Sequence, residues 1–320
     1  MNELTRIPLS QIPKTVYKYR AFSSSTIDLL CHDEQFFASP SNFNDPFDCS
    51  PQVAIDSDLT QLQKILTSLV AARVRAETLA AFSNAKFKEP LALAHAKEIA
   101  RSEALKAVQY VQYHATNPEY DDPTAAEIGM LRQEIQLELL GRYGKGICCF
   151  SEEYNNPLLW SHYGEQHRGL CLGYSIDRKP VPDLKRVRYG GDRTITTSLL
   201  ERALLTKEPD GIEELDANVL LRKAPEWEYE KEWRLIGKVG LQESPLKLTE
   251  VTFGLRCSAA VRHAVMTSLA KRQNTVNFFE MVNVFGTFEL RRSPVDDEDT
   301  MFLPNTAMSA MEAFPDHNET

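Results

Sequence analysis

A change of hydrophobic period is the feature that most constrains the fold of this chain. Between residues 58 and 142 the apolar positions recur with the 3.6-residue period of α-helices, and the breaks in the pattern fall at the proline-containing segments KEP and TNPEYDDPT. On both sides, short runs rich in β-branched and aromatic residues predict strands. The sequence therefore predicts the α+β class, with a mixed β-sheet core and a helical insertion. The first helical stripe comprises Leu62, Ile65, Leu66, Leu69 and Val70.

The strand-like and helix-like segments predict how the core is divided along the chain. VYKYR (16–20) and QFFAS (35–39) would be strands bracketing a helix, and GICCFS, RGLCLGYSI and VRYG would follow the insertion as strands, with a short helix in NPLLWSHYG. The closing third alternates further strands with one amphipathic helix. We therefore expect a core domain from residues 1–57 and 143–295, a helical insertion at 58–142, and a loosely ordered tail at 296–320.

Composition and charge exclude several classes of protein. The formal charge of −9 and the pI near 5.4 argue against non-specific binding of nucleic acid by the whole surface. No export signal and no run of about 18 apolar residues is present, so we expect a cytoplasmic protein without membrane contact. The six cysteines have no CxxC spacing, which predicts neither disulfides nor a cysteine zinc site.

The segment EYEKEWR contains the candidate catalytic carboxylates. In a strand, the two-residue period would place Glu230, Glu232 and Arg234 on one face and the aromatic side chains of Tyr229 and Trp233 on the other. Two neighbouring carboxylates repel, so one would have a raised pKa unless cations neutralise them, as in sites for acid–base chemistry or for holding a ribose hydroxyl. A structural ion pair between Glu232 and Arg234 is the alternative, and both interpretations stay open.

Aspartates in FNDPFD suggest a different chemistry. Asp45 could cap a helix that begins at the following proline, which needs no function. Alternatively, Asp45 and Asp48 could join Glu230 and Lys231 in a metal-dependent nuclease. Some 180 residues separate the two clusters, and the sequence contains no compact ligand motif, so no metal is expected.

Several aromatic residues are predicted to be buried, because each lies beside an apolar neighbour at the spacing of its element. Phe43 and Phe47 have the i,i+4 spacing of one helical face. We expect the same burial for Trp160 and Tyr163 of the short helix and for Trp233.

His162 is a further catalytic candidate. His162 and His167 are five residues apart, which does not place two metal ligands on one helical face, so a zinc helix is disfavoured. A hydrogen-bonded histidine in the core or at its rim is the alternative for His162. The chain contains no phosphate-loop spacing of glycines.

Four segments together resemble a bacterial family known as domain of unknown function 2971. They are YKYR, FASPSNFNDPFD, GICCFSEEYNNPLLWSHYGEQHRGLCLGYS and WEYEKEWRLI, in the same order as in the family. The resemblance runs from about residue 16 to 290. It implies a family and no activity.

A second and weaker resemblance is to the ADP-ribosyltransferase fold, in which a first-strand Arg or His, a second-strand Ser or Tyr and a later E-x-E follow one another. Here Arg20, Ser39 and the pair Glu230 and Glu232 occur in that order. The resemblance implies that Arg20 would hold the phosphates or ribose of NAD and that Ser39 would order the pocket. A glutamate would bind the nicotinamide ribose and stabilise oxocarbenium charge. The Ser-Thr-Ser-like run of that fold is missing.

The resulting hypothesis is an NAD-using transferase, acting as a toxin or phage-defence effector, whose cleft also receives Tyr19 for the cofactor and His162 for catalysis. Its acceptor, whether protein or nucleic acid, is left open. Two other classes remain: a metal-dependent nuclease, and a non-catalytic module that senses a ligand or binds a partner.

Overall fold

The computed structural model describes residues 11–84, 89–141 and 144–295, and it confirms the α+β class. The strands are β1 (Thr15–Arg20), β2 (Glu34–Phe37), β3 (Gln52–Ala54), β4 (Gly146–Ser151), β5 (Leu170–Ser175), β6 (Lys185–Arg186), β7 (Arg188–Tyr189), β8 (Thr194–Thr196), β9 (Arg222–Lys223), β10 (Glu232–Gly237), β11 (Gly240–Glu243), β12 (Lys247–Phe253), β13 (Asn277–Asn283) and β14 (Leu290–Pro294). The helices are α1 (Ser24–His32), α2 (Leu59–Asn84), α3 (Glu89–Ala115), α4 (Pro123–Gly141), α5 (Pro157–His162), α6 (Thr197–Leu200), α7 (Pro209–Leu220) and α8 (Ala259–Leu269).

The chain divides into two compact units, each assembled from separate stretches of sequence. Among the described residues, unit 1 comprises 11–14, Gln35–Glu152 and Lys179–Glu243, and unit 2 comprises Thr15–Glu34, Glu153–Arg178 and 244–295.

Unit 2 contains a five-stranded arrangement in the order β14-β13-β12-β5-β1. β5 is antiparallel to both β1 and β12, and Arg20 at the end of β1 lies opposite Leu170. β13 runs parallel to β12, and β14 returns antiparallel to β13. α1 begins where the Ser23 hydroxyl accepts a hydrogen bond from the backbone N–H of Thr26, the usual role of a serine before a helix.

In unit 1, β10 lies between β4 and β6 and is antiparallel to both. The register places Glu232 opposite Ser151 and Arg234 opposite Cys149. The first four residues of β10 are all buried, including these two charged ones. A strand that buries charges needs partners for them, and those partners form the candidate site.

The helical segment supplies half of the buried residues in the hydrophobic core of unit 1. α2 packs against α3 and α4, and the predicted stripe of α2 is buried, with Leu69 half-buried. The same core includes Val53 of β3, Ile147 of β4 and Leu215 of α7. Burying an aliphatic side chain of this size contributes roughly 1.5–3 kcal/mol, so α2–α4 stabilise the strands around them. The division into core domain and insertion stays a prediction.

The predicted burial of aromatic residues is confirmed for Trp160 and Trp233, which are 0% and 1% exposed. Phe43 and Tyr163 are half-buried. The prediction is wrong for Phe47, which is 58% exposed. Turns rather than a helix follow Asn44, so the i,i+4 spacing does not bring Phe43 and Phe47 to one face.

The predicted tail, residues 296–320, lies outside the described residues. Within the described ranges, no helix has both the length and the apolar composition needed to cross a membrane.

Candidate functional site

The EYEKEWR segment is not the continuous strand that the sequence predicted. Pro225–Glu230 form a 3-10 helix, Lys231 follows with a left-handed φ of 44°, and β10 begins only at Glu232. The predicted alternation is therefore wrong for Tyr229 and Glu230. It holds within β10, where Glu232 and Arg234 share a face and form the ion pair that was one of the two interpretations.

Five side chains form what we call the ionic cluster: Asp48, Lys223, Glu230, Glu232 and Arg234, all between 0% and 8% exposed. The Lys223 ammonium lies 2.5 Å from Glu230 Oε2, 3.0 Å from Glu232 Oε2 and 3.6 Å from Asp48 Oδ2. The Arg234 guanidinium donates from Nε to Glu232 Oε1 and from Nη2 to Asp48 Oδ2, both at 2.7 Å. Each cation thus contacts several carboxylates, which is how buried charges are compensated.

The charges in the cluster determine its protonation state. Burial by itself raises the pKa of Glu232, but the charges of Arg234 and Lys223 outweigh that effect and lower it to about 2. Burial likewise lowers the pKa of Lys223, whereas Glu232, Glu230 and Asp48 raise it well above its usual range. Three carboxylates face two cations, so the cluster carries one excess negative charge when all are ionised.

Hydrogen bonds from the surrounding backbone and side chains fix the geometry of the cluster. Arg234 Nη1 donates to the Leu220 carbonyl at 2.6 Å, and the hydroxyl of Tyr189 accepts from the Glu232 backbone N–H at 2.8 Å. The Ser151 hydroxyl donates to the Glu230 carbonyl at 2.7 Å. These bonds connect the end of α7, β4 and the 3-10 helix, so the cluster joins several elements of unit 1.

The aspartates of FNDPFD have different positions. Asp48 reaches the cluster despite the 180-residue separation, whereas Asp45 accepts a hydrogen bond from the backbone N–H of Phe47 in its own turn. Lys231 is exposed. Lys223 occupies the space among the carboxylates, and the described residues contain no group of three or more His, Cys, Asp or Glu arranged to hold a metal ion.

Sequence reasoning missed Lys223. Three acidic residues within EYEKE require nearby cations if they are buried, and RK, four residues before the segment, was the signal available for such a cation.

The other predicted site residues fall in both units. Ser39 belongs to unit 1, where its hydroxyl lies 2.8 Å from that of Ser41. Arg20, Tyr19 and His162 belong to unit 2. Arg20 is half-buried at the end of β1, and His162 is exposed at the end of α5.

Tyr19 is 9% exposed and donates its hydroxyl to the Glu153 carbonyl at 2.8 Å, and burial raises its pKa. Its ring packs edge-on against Trp160. Convergence of these residues with the glutamates on one pocket stays a prediction.

A cleft of about 260 Å³, here called the basic cleft, adjoins the ionic cluster within unit 1. Lys223 lines it and connects it to the cluster. Arg193 and Arg222 contribute two further cations, and the exposed ring of Phe47 lies 4.8 Å below the Arg193 guanidinium. The rest of the lining includes Cys49, Ser50, Pro51, Gly190, Gly191, Asn218, Val219, Ala224 and Pro225.

Neither guanidinium of the basic cleft forms an ion pair among the described residues, although the charge of Arg222 helps to lower the pKa of the Asp192 carboxyl. Arg222 donates to Asn218 Oδ1 at 3.1 Å, and Arg193 contacts the Phe47 ring. Gly191 has a φ of 80°, and a Cβ there would lie 2.7 Å from Arg222 Nη1, so only glycine leaves this wall free of strain. The cleft therefore has the charge and shape to receive an anion.

No curated protein and no solved structure matches this chain. The likeness to the ADP-ribosyltransferase fold stays a prediction. Residues 159–235, which include β5 and the ionic cluster except Asp48, match the family model described as "Protein of unknown function (DUF2971)", and the match supports the predicted family over that part of the chain.

Proposed function

We propose that this protein binds a nucleotide in the basic cleft, with NAD as the first candidate. The observation that carries the proposal is that Arg193 and Arg222, which form no ion pair within the described part of the chain, line a cleft beside an exposed aromatic ring. Arginine is well suited to phosphate because its planar fork donates two parallel hydrogen bonds. Phe47 offers a face on which a base can stack.

The size of the cleft sets how much of the ligand it encloses. Pockets for small molecules are commonly about 300–1,000 Å³, so the 260 Å³ of the basic cleft would hold the phosphates and one adjoining sugar or base, with the rest of a dinucleotide outside.

Transfer of ADP-ribose is the enzymatic form of this proposal. The bond between the ribose C1′ and nicotinamide would break, nicotinamide would leave with the bonding electron pair, and an acceptor nucleophile would bond to C1′ and lose its proton. A carboxylate, Glu230 or Glu232, would stabilise the oxocarbenium charge. Both lie behind Lys223, so the reaction requires that a bound phosphate draw the Lys223 ammonium towards it and release one of them.

Binding is tested by calorimetric titration of the full chain with NAD, ADP-ribose and ATP. Arg193→Gln and Arg222→Gln should each weaken binding about tenfold or more, because each removes a charge-assisted contact to phosphate. Arg186→Gln is the matched control, since Arg186 is exposed on β6 and does not line the cleft. Absence of binding by all three nucleotides, or equal affinity in the cleft and control variants, would refute the proposal.

Transfer is tested by nicotinamide release from NAD, with and without EDTA. Glu230→Gln should lower turnover by about 10²- to 10³-fold if Glu230 acts in the transition state, while circular dichroism shows an intact fold. If the wild-type protein binds NAD but releases no nicotinamide, the result would favour the alternative of a non-catalytic ligand-sensing module. Phosphodiester cleavage abolished by EDTA would favour the nuclease instead. The predicted role as a toxin or phage-defence effector depends on the acceptor and stays a prediction.

A further inference from the structure

A second recess lies in the helical segment, between α3, α4 and the loop that joins them. Its volume is about 260 Å³, and Tyr110, His114 and Tyr120 contribute three aromatic rings to its wall. The Tyr110 and His114 rings lie 4.2 Å apart, one turn from each other on α3. Met130 and Val111 form its apolar base.

The rings of this recess are exposed rather than packed into the core. Tyr110 on α3 is 60% exposed and Tyr120 in the following loop is 43% exposed, although large aromatic side chains usually bury much of their surface. Aromatic faces carry partial negative charge and attract cations placed over them. No Lys or Arg lines the recess, and none of the cation–ring contacts found in the described part of the chain involves these rings.

Glu134 on α4 supplies the only carboxylate of the lining residues. It is half-buried, and no ion pair or hydrogen bond of its side chain is found among the described residues. One turn later, Glu138 is held by Arg73 of α2 through two hydrogen bonds of 2.9 and 3.1 Å. Two carboxylates on the same helix thus differ: the fold supplies a cation to Glu138 and none to Glu134.

The loop beside the recess extends its negative character. Glu119, Asp121 and Asp122 lie within four residues of one another, and all three are exposed. Acidic residues on both sides of Tyr120 in the sequence favour a positively charged segment over a neutral or acidic one.

We propose that this recess binds an arginine side chain from a basic segment of a partner protein. The guanidinium would stack on Tyr110 and Tyr120 and donate two hydrogen bonds to the Glu134 carboxylate. Arginine fits better than lysine because its planar group stacks on rings and pairs with a carboxylate through two bonds. This inference is independent of the proposed nucleotide site, since it concerns other residues and a ligand of opposite charge.

The test is titration of the full chain with the peptide acetyl-Gly-Gly-Arg-Gly-Gly-amide, with NMR chemical shifts as the readout. A peptide with citrulline in place of arginine has nearly the same shape without the charge. The arginine peptide should shift the signals of α3 and α4, and the citrulline peptide should not. Tyr110→Ala and Glu134→Gln should each weaken binding about fivefold or more, the range expected for a lost cation–ring or charged contact.

Tyr113→Ala provides the matched control. Tyr113 is also on α3 and is 75% exposed, but it does not line the recess, so its loss should change affinity less than about twofold. Equal binding of the citrulline peptide, or unchanged affinity in Glu134→Gln, would overturn the proposal. So would methylguanidinium binding as tightly as the peptide, since the recess would then serve a free small cation.

Discussion

Glu232 and Glu230 differ in how many cations each one holds. Glu232 contacts Arg234 through Oε1 and Oε2, and its Oε2 also accepts a hydrogen bond from Lys223. Of the two cations in the ionic cluster, Glu230 contacts Lys223, through its Oε2. Because three carboxylates share two cations, loss of Glu230 relieves the excess negative charge. Loss of Glu232 instead removes a carboxylate that bridges Lys223 and Arg234, and leaves Asp48 as the carboxylate that contacts both.

The two corresponding glutamine variants should therefore differ in stability. Breaking a buried ion pair typically costs about 3–5 kcal/mol, and we expect a loss of that size in the free energy of unfolding for Glu232→Gln. Glu230→Gln should cost less, about 1.5–3 kcal/mol, the contribution of one hydrogen bond to a charged group. Urea unfolding of both variants measures the difference, and equal losses would contradict the bridging role of Glu232.

The low pKa of Glu232 predicts a pH dependence of stability. Its pKa is about 2 in the folded protein and near 4.3 when unfolded, so the unfolded chain takes up the proton first as the pH falls. The stabilisation is fully present above about pH 5 and is lost as the pH falls towards 2, and its full size is about 3 kcal/mol.

The gap in unfolding free energy between wild type and Glu232→Gln should accordingly be constant from pH 7 to 5 and shrink below that. Urea titrations at successive pH values test this, with Glu230→Gln as the comparison. A gap that stays the same at pH 3 would show that Glu232 is not stabilised as the anion.

At the scale of elements, α4 shows how the helical segment is attached. Leu131, Ile135 and Leu139 recur every four residues and are 0–2% exposed in the core of unit 1. Leu137 on the opposite side is 57% exposed. An ion pair between Arg73 of α2 and Glu138 of α4 also joins the two helices.

Substitution by alanine should lower the free energy of unfolding more on the buried side of α4 than on its exposed side. Ile135→Ala should lower the free energy of unfolding by about 2–5 kcal/mol, because it removes buried methyl groups and leaves a cavity. Leu137→Ala should change it by no more than about 0.5 kcal/mol, since its side chain is mainly in water. Thermal and urea unfolding measure both, and similar losses would mean that α4 faces the core differently.

At the scale of the whole molecule, neither compact unit is a continuous piece of chain. The core of unit 1 is shared by α2–α4, by β3 and β4 and by α7. The helical segment therefore belongs to the same core as the strands, because half of the buried residues in the cluster that contains Val53 and Ile147 come from it.

Replacing residues 59–141 with a Gly-Ser linker should accordingly unfold unit 1. We expect the near-ultraviolet circular dichroism of its buried Trp233 to be lost, together with cooperative urea unfolding of that unit. Full-length protein measured in parallel is the control. A shortened chain that keeps both signals would support a separable insertion, as the sequence predicted.

The sequence by itself determined the parts of the fold that depend on local periodicity. The stripe from Leu62 to Val70 predicted α2, and the apolar runs of β4 and β5 predicted strands, since a repeat of 3.6 or 2 residues is a property of neighbouring positions. The ion pair between Glu232 and Arg234 could also be predicted, because two residues on one face of a strand are close regardless of the tertiary structure.

Only the tertiary structure decided what surrounds that pair. Asp48 contacts Arg234 across 186 positions of sequence, and Lys223 contacts Glu232 from β9, so neither contact follows from any local pattern. Lys231 has a left-handed backbone conformation, so the strand begins only at the next residue. Glu230 therefore lies in the 3-10 helix and not on the strand face that the sequence predicted. Pairing of buried charges depends on which distant segments pack together, and that is settled by the whole core rather than by the spacing of residues along the chain.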